Sequence, residues 1–230
     1  MSRSILSTAL VLPLLALAAC GDDDDDVTGV NNGNATVRFV NATGTNYDLA
    51  LNGAVGTGNG NLGFGGGTSC LTLNAATPGL AIRNAGTTTT VSGFTPNFQA
   101  GGNYTVVAVP GPNNTTQFVT LSGTNTPGSG QSGVRVLNAA QGFGNFDVYV
   151  TAPGGALGTA NASNVGTGAS SNWFNVGSGT NQVRFATAGT QNVAFNWGNQ
   201  SFTAGQNATI VIAPPATGST TLRAFTITGC

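Results

Sequence analysis

VRFVNA at residues 37–42 returns as VRVLNA at residues 134–139. Internal repetition of this kind marks a chain built from copies of one structural unit, and the correspondence runs on in both directions. YDLAL (47–51) is matched by FDVYV (146–150), so Asp48 corresponds to Asp147. LAIRN (80–84) is matched by NQVRF (181–185), which sets Arg83 against Arg184. FQAGGNYTVVAV (98–109) is matched by FTAGQNATIVIA (202–213), aligning Phe98, Gly101, Asn103 and Thr105 with Phe202, Gly205, Asn207 and Thr209. The spacing between partners grows along the chain, as it does when loops take up small insertions.

Within each copy the apolar period is two. Tyr47, Leu49 and Leu51 alternate with Asp48 and Ala50, and Phe146, Val148 and Val150 alternate with Asp147 and Tyr149. Alternation over this length predicts strands. YTVVAV (104–109) and ATIVIA (208–213) are strand-length runs that stop at Pro110 and Pro214, where proline withdraws a ladder donor. No helical stripe follows the first twenty residues. The expected fold is therefore all-β: two tandem antiparallel β-sandwich domains, Ig-like in architecture, each with about seven short strands. The polar, turn-forming stretch around residues 124–131 reads as a linker. The first repeat is then expected over 35–123 and the second over 132–230.

These motifs resemble the domain of unknown function 4397 family: a VRFVNA-type strand, a YDLALNG- or FDVYV-type strand, an Arg-bearing strand, then FxAGxNYTVVAV. Two copies would cover nearly all of the chain beyond its first thirty residues. The resemblance implies a β-sandwich module of bacterial secreted and envelope proteins, often lipoproteins, with no established enzymatic role. The chain carries NATGTN and NAAQGFGN after the first strand of each copy, where the family more usually has histidine and proline. Functions tied to those positions do not carry over.

The amino-terminal segment is of another kind. Arg3 precedes an apolar run over residues 5–17, the layout of a secretory signal peptide, expected here over 1–19. The run is shorter than the roughly 20 residues that span a bilayer. Leu17-Ala18-Ala19-Cys20 resembles the bacterial lipobox, which implies lipidation of Cys20 and cleavage just before it. An ordinary secretory signal with an incidental cysteine is the alternative. One acyl chain anchors only marginally, whereas the three chains implied by the lipoprotein resemblance hold permanently. The lipid bilayer is thus the expected partner, reached through acylated Cys20. Aspartates 22–26 follow at once; adjacent like charges repel and stay hydrated, so residues 20–34 read as an acidic tether. A calcium site is the competing reading, but the run lacks the alternating spacing of a calcium loop. Gly21 after Cys20 resembles lipoproteins forwarded to the outer membrane. The expected location is the bacterial cell envelope, facing periplasm or surface.

Charge is scarce beyond the tether. Only 6% of the 230 residues are charged, against about 25% in ordinary globular proteins. The body sets Asp48 and Asp147 against Arg38, Arg83, Arg135, Arg184 and Arg223, scattered rather than gathered into the basic patch that nucleic acid requires. With no His, Lys or Glu, a Ser or Thr nucleophile lacks its usual base, and the two body aspartates sit in different repeats. Histidine or paired-cysteine metal sites are equally out of reach. The chain is expected to be no enzyme and to need no cofactor or metal. Residues 58–63 satisfy G-x-G-x-x-G, but no helix follows to meet a pyrophosphate, so the stretch reads as a loop.

Three groups of residues remain as candidates. Arg38, Asp48 and Arg83, with Arg135, Asp147 and Arg184 in the second copy, alternate with inward apolar neighbours. They are expected to form outer-face ion pairs worth roughly 0.2–1 kcal/mol each; arginine recognition of an acidic or sugar ligand is the alternative. Cys70 and Cys230 are left once Cys20 is lipidated, and an oxidising envelope favours a disulfide between them; two free thiols are the alternative. Trp173 and Trp197 either pack in the core or stack on sugar rings. The expected function is non-catalytic, structural or adhesive, with capture of envelope polysaccharide or protein as the alternative.

Overall fold

The duplicated segments become the matching strands β1 (Asn34–Asn41) and β8 (Gln131–Asn138). The computed structural model describes residues 33–91 and 94–229; the signal peptide, Cys20, the aspartate run and Cys230 lie outside the described residues. Asn34, which the sequence places in the tether, already belongs to β1.

The first repeat continues through β2 (Tyr47–Leu51), β3 (Ala54–Val55), β4 (Leu71–Asn74), β5 (Leu80–Asn84), β6 (Asn103–Pro110) and β7 (Thr116–Ser122). The second continues through β9 (Phe146–Thr151), β10 (Ala162–Val165), β11 (Phe174–Gly177), β12 (Gly179–Thr187), β13 (Val193–Phe202), β14 (Asn207–Ala213) and β15 (Arg223–Thr228). The chain is all-β, with two tandem β-rich repeats of two sheets each. The inner sheets run β4-β1-β6-β7 and β11-β8-β14-β15; the outer sheets run β3-β2-β5 and β10-β9-β12-β13.

The sheets are not wholly antiparallel as expected. β1 pairs parallel with β6, and β8 with β14. Parallel neighbours need a long crossover, and here the chain passes through the outer sheet between the two strands, which supplies it.

Strand periodicity sorts the apolar side chains into three cores. Val37, Phe39, Tyr47, Leu49, Ile82, Val106 and Ala108 fill the first repeat between its own sheets. Val134, Val136, Phe146, Val148, Phe185, Ile210 and Ile212 fill the second. The intervening residues face the other way and meet in a third core: Val40, Val107, Val109 and Leu121 against Leu137, Val211, Ala213 and Ile227. Both inner sheets are therefore buried on both faces, and the sheets stack in the order outer, inner, inner, outer.

This joins what the sequence reads as separate modules on a linker. The cause is visible in residues 106–109 and 210–213, whose uninterrupted apolar runs have no solvent side, the pattern of a strand covered on both faces. Matching positions of the two repeats meet one another, the arrangement of an isologous dimer interface formed within one chain. At about 1.5–3 kcal/mol for each fully buried Val or Leu, the shared layer contributes on the scale of a repeat's own core. The linker is also pinned: Asn125 Nδ2 donates to Asn175 Oδ1 at 2.6 Å, and Asn207 Nδ2 to the Asn125 carbonyl at 2.7 Å. Asn207 fits beside β8 because residue 133 is glycine; a Cβ there would collide with its Oδ1.

Candidate functional site

Polar side chains buried among these sheets fall into two groups: those that do the same thing in both repeats, and those that do not. Asp48 and Asp147 belong to the first. Each is 7% exposed. Asp48 Oδ1 accepts from Asn61 N at 2.6 Å and Oδ2 from Gly86 N at 2.8 Å. Asp147 repeats this with Asn164 N at 2.7 Å and Gly189 N at 2.9 Å. Asn61 and Asn164 both sit at positive φ, 53° and 52°, a conformation asparagine tolerates better than most residues. Asp48 thus clamps two loops onto its outer sheet, and Asp147 one loop and the edge strand β10.

The expected outer-face row of ion pairs is replaced by this arrangement. Among the described residues neither aspartate forms an ion pair. Arg38 and Arg135 stand on inner sheets, whereas Asp48, Arg83, Asp147 and Arg184 stand on outer ones. Arg83 is opposite Asp48 in the β2–β5 register, yet its Nη1 donates to the Gly53 carbonyl at 3.1 Å. Arg184 is not its structural counterpart: Asp147 faces Ala186, and Arg184 faces Tyr149. Its Nη2 donates to Thr151 Oγ1 and the Gly155 carbonyl at 2.6 and 2.7 Å. Backbone N–H groups satisfy the carboxylates without ordering a long arginine side chain, a cost that exposed ion pairs barely offset.

Asn41 and Asn138, both fully buried, form a second duplicated clamp that sequence reasoning passed over. Asn41 Nδ2 donates to the Thr45 and Leu62 carbonyls at 2.6 and 2.8 Å, and Oδ1 accepts from Thr43 N at 2.8 Å. Asn138 Nδ2 donates to the Gly144 and Val165 carbonyls, and Oδ1 accepts from Ala140 N, all at 3.0 Å. The signal was present: a polar residue ends each copy of the repeated VRFVN/VRVLN strand, directly after two apolar ones.

Arg38 and Arg135 start alike and diverge. Arg38 Nη1 donates to the Thr228 carbonyl at 2.8 Å, and Arg135 Nη1 to the Ser122 carbonyl at 2.8 Å. Ser122 and Thr228 end the matching strands β7 and β15, so each arginine reaches into the other repeat. The remaining contacts differ. Arg38 is half-buried and gives its Nε to the Thr68 carbonyl at 3.1 Å. Arg135 is 8% exposed, gives its Nε to Thr209 Oγ1 at 2.8 Å, and lies 4.5 Å from the Trp173 ring centroid. Burial lowers its guanidinium to about 10. Among the described residues no carboxylate pairs with it.

Arg135 and Trp173 wall a cavity of about 350 Å³ between the repeats. Asn103, Thr105 and Leu121 line it from the first repeat, and Thr209 joins Arg135 and Trp173 from the second. Trp197 is elsewhere, on the edge strand β13, partly buried against the second repeat's core; the two tryptophans do not share a wall of the cavity. Trp173 takes the position that Cys70 holds in the first repeat. The identity follows from hydrogen bonds two residues earlier: Phe39 N donates to Thr68 Oγ1 at 3.1 Å, and Val136 N to Ser171 Oγ at 2.9 Å. Cys70 is exposed and disulfide-bonded, and Cys230, its expected partner, lies outside the described residues.

The G-x-G-x-x-G stretch runs beside β2, where Leu49 N donates to the Asn59 carbonyl at 2.7 Å and Tyr47 bridges Leu62. Among the described residues no three His, Cys, Asp or Glu gather as metal ligands, and no helix is long and apolar enough to cross a membrane.

Fold and site together define a duplicated all-β protein whose repeats share an apolar layer and a cavity lined by polar and apolar groups of both. The chain belongs to the family described as Domain of unknown function (DUF4397), whose model matches residues 35–149 and again residues 132–228. No curated protein matches the chain.

Proposed function

We propose that the protein is a non-catalytic lipoprotein of the bacterial cell envelope, with its Ig-like repeats serving a structural or surface-adhesion role. Acyl chains on Cys20 hold it to the bilayer, and the aspartates at 22–26 space the folded body from the surface. The observation that carries the structural part is the apolar layer between the repeats. It makes one stiff body of two modules, which a tethered spacer or adhesin needs and which separate beads on a linker lack. The buried polar groups support the same reading: Asp48, Asp147, Asn41 and Asn138 are all spent on clamping loops or the edge strand β10.

The test has two parts. Mass spectrometry of the native protein is expected to find a lipid-modified amino-terminal Cys20, and Cys20→Ala is expected to move the protein out of the membrane fraction. Cells displaying a Leu137→Asp variant, which puts a charge into the shared layer, are expected to lose surface attachment while retaining the anchor. Native protein that keeps Met1 and fractionates with cytosol overturns the reading. A second reading, capture of an envelope polymer, draws on the Trp173 ring at the cavity; glycan binding lost in Trp173→Ala and kept in Trp197→Ala favours it.

A further inference from the structure

The cavity between the repeats holds a cation with nothing to balance it. Arg135 is more than nine-tenths buried, and its hydrogen bonds go to a neutral hydroxyl and a neutral carbonyl. Those two bonds use two of the five N–H groups of a guanidinium, so three are left, all on the two terminal nitrogens. A buried charge without a counter-charge is costly, and the terminal nitrogen without a protein partner stays accessible rather than sealed in the interior. The guanidinium fork fits a carboxylate, which it can grip through two parallel hydrogen bonds.

The duplication supplies an internal control. Arg38 holds the same strand position and makes the same reach into the opposite repeat, yet it is half-buried, does not line the cavity and has no ring against it among the described residues. Clasping the repeats therefore does not require burial under a tryptophan. The rest of the wall is chemically consistent with a hydroxylated ligand: Asn103, Thr105, Thr124 and Gln206 offer donors and acceptors, and Trp173 offers an aromatic surface. The volume of about 350 Å³ lies at the low end for small-molecule sites. It suits a single sugar-sized unit.

We propose that this cavity binds a small carboxylate of sugar-acid size, its carboxylate on Arg135 and its body beside Trp173. The site goes beyond the structural role, which makes no use of it.

The experiment titrates full-length protein in detergent micelles with D-glucuronate, acetate and D-glucose, by calorimetry. Glucuronate is expected to bind at least about tenfold more tightly than glucose, a difference of one charge-assisted contact. Acetate is expected to bind more weakly than glucuronate, the difference being the contact of the sugar ring with Trp173; acetate matching glucuronate overturns the sugar-acid size of the ligand. Arg135→Gln is expected to weaken glucuronate at least tenfold. Thr124→Trp, a change in an exposed loop at the cavity wall, blocks the site without touching a core and decides the matter should Arg135→Gln fail to fold. Arg83→Gln, on an outer sheet, leaves binding unchanged. No binding of either acid, equal binding of glucose, or glucuronate binding that survives both Arg135→Gln and Thr124→Trp overturns the proposal. Any of these results leaves the anchored, structural reading standing.

Discussion

Thr68 and Ser171 hold matching backbone groups, and two residues later the repeats part: Cys70 in the first, Trp173 in the second. Around Cys70 the chain is closed by a covalent bond, and Arg38 ties Thr68 to Thr228 with one guanidinium. Around Trp173 the same arginine position is buried beneath an indole and opens on a cavity. The two ends show how a duplicated unit separates its tasks. What stays identical in both copies, the aspartate and asparagine clamps, holds the fold. What differs is free to serve something else.

The largest expected effect is confined to the Cys70 end. Arg38 brings together two carbonyls that each stand two residues before a cysteine, Cys70 and Cys230, which supports pairing of these two. A non-reduced digest should then yield them as one joined peptide. Reduction should lower stability by about 4–5 kcal/mol, the chain-entropy value for a loop of this size. Recovery of separate peptides breaks the contrast between the ends.

Next come the asparagine clamps, where the comparison predicts equality. Asn41→Ala and Asn138→Ala each strand one buried carbonyl, one part-buried carbonyl and a backbone N–H, at about 3 kcal/mol in chemical denaturation. Through the shared layer, either change should shift a single unfolding transition. Two separate transitions would mean that the repeats fold independently. A smaller, again equal, loss of about 2–3 kcal/mol is expected for Asp48→Ala and Asp147→Ala, since each removes a charged acceptor from two backbone N–H groups. A loss under 1 kcal/mol in either would restore the exposed ion pair as the better account.

The repeat, the strands and the all-β class were legible because they rest on local period and on self-similarity. Three things were not. The parallel pairs β1–β6 and β8–β14 depend on which distant strands become neighbours, and periodicity is silent on that. The shared layer was hidden by a habit of reading: Arg38 and Arg135 do face away from their own cores, but away from the core is here toward the other repeat. Residues 106–109, apolar without interruption, carried the hint that this outer side is not solvent. Matching Arg83 to Arg184 by sequence failed because β12 is offset by two residues relative to β5, which puts Ala186 opposite Asp147. The aspartates were found for the wrong reason; their partners are backbone groups, which sequence does not display.

The smallest effect is the most specific to the Trp173 end. Burial lowers Arg135 to about 10, well below the ordinary guanidinium range, so between the two the unfolded chain binds more protons than the folded one. Unfolding free energy then rises with pH across this window: the penalty for burying the charge is present in full at neutral pH and disappears as the folded-state group loses its proton. Wild type measured against Arg135→Met should gain about 1 kcal/mol between roughly pH 10 and 11, near the limit of 1.36 kcal/mol per unit for one proton. The chain has no lysine, and the two proteins differ only at residue 135. Glucuronate in the cavity should suppress the gain in wild type, because a bound carboxylate favours the charged guanidinium and moves its titration back up. A difference that stays flat with pH would mean that Arg135 is as well solvated as Arg38, and the distinction between the two ends would then rest on the disulfide alone.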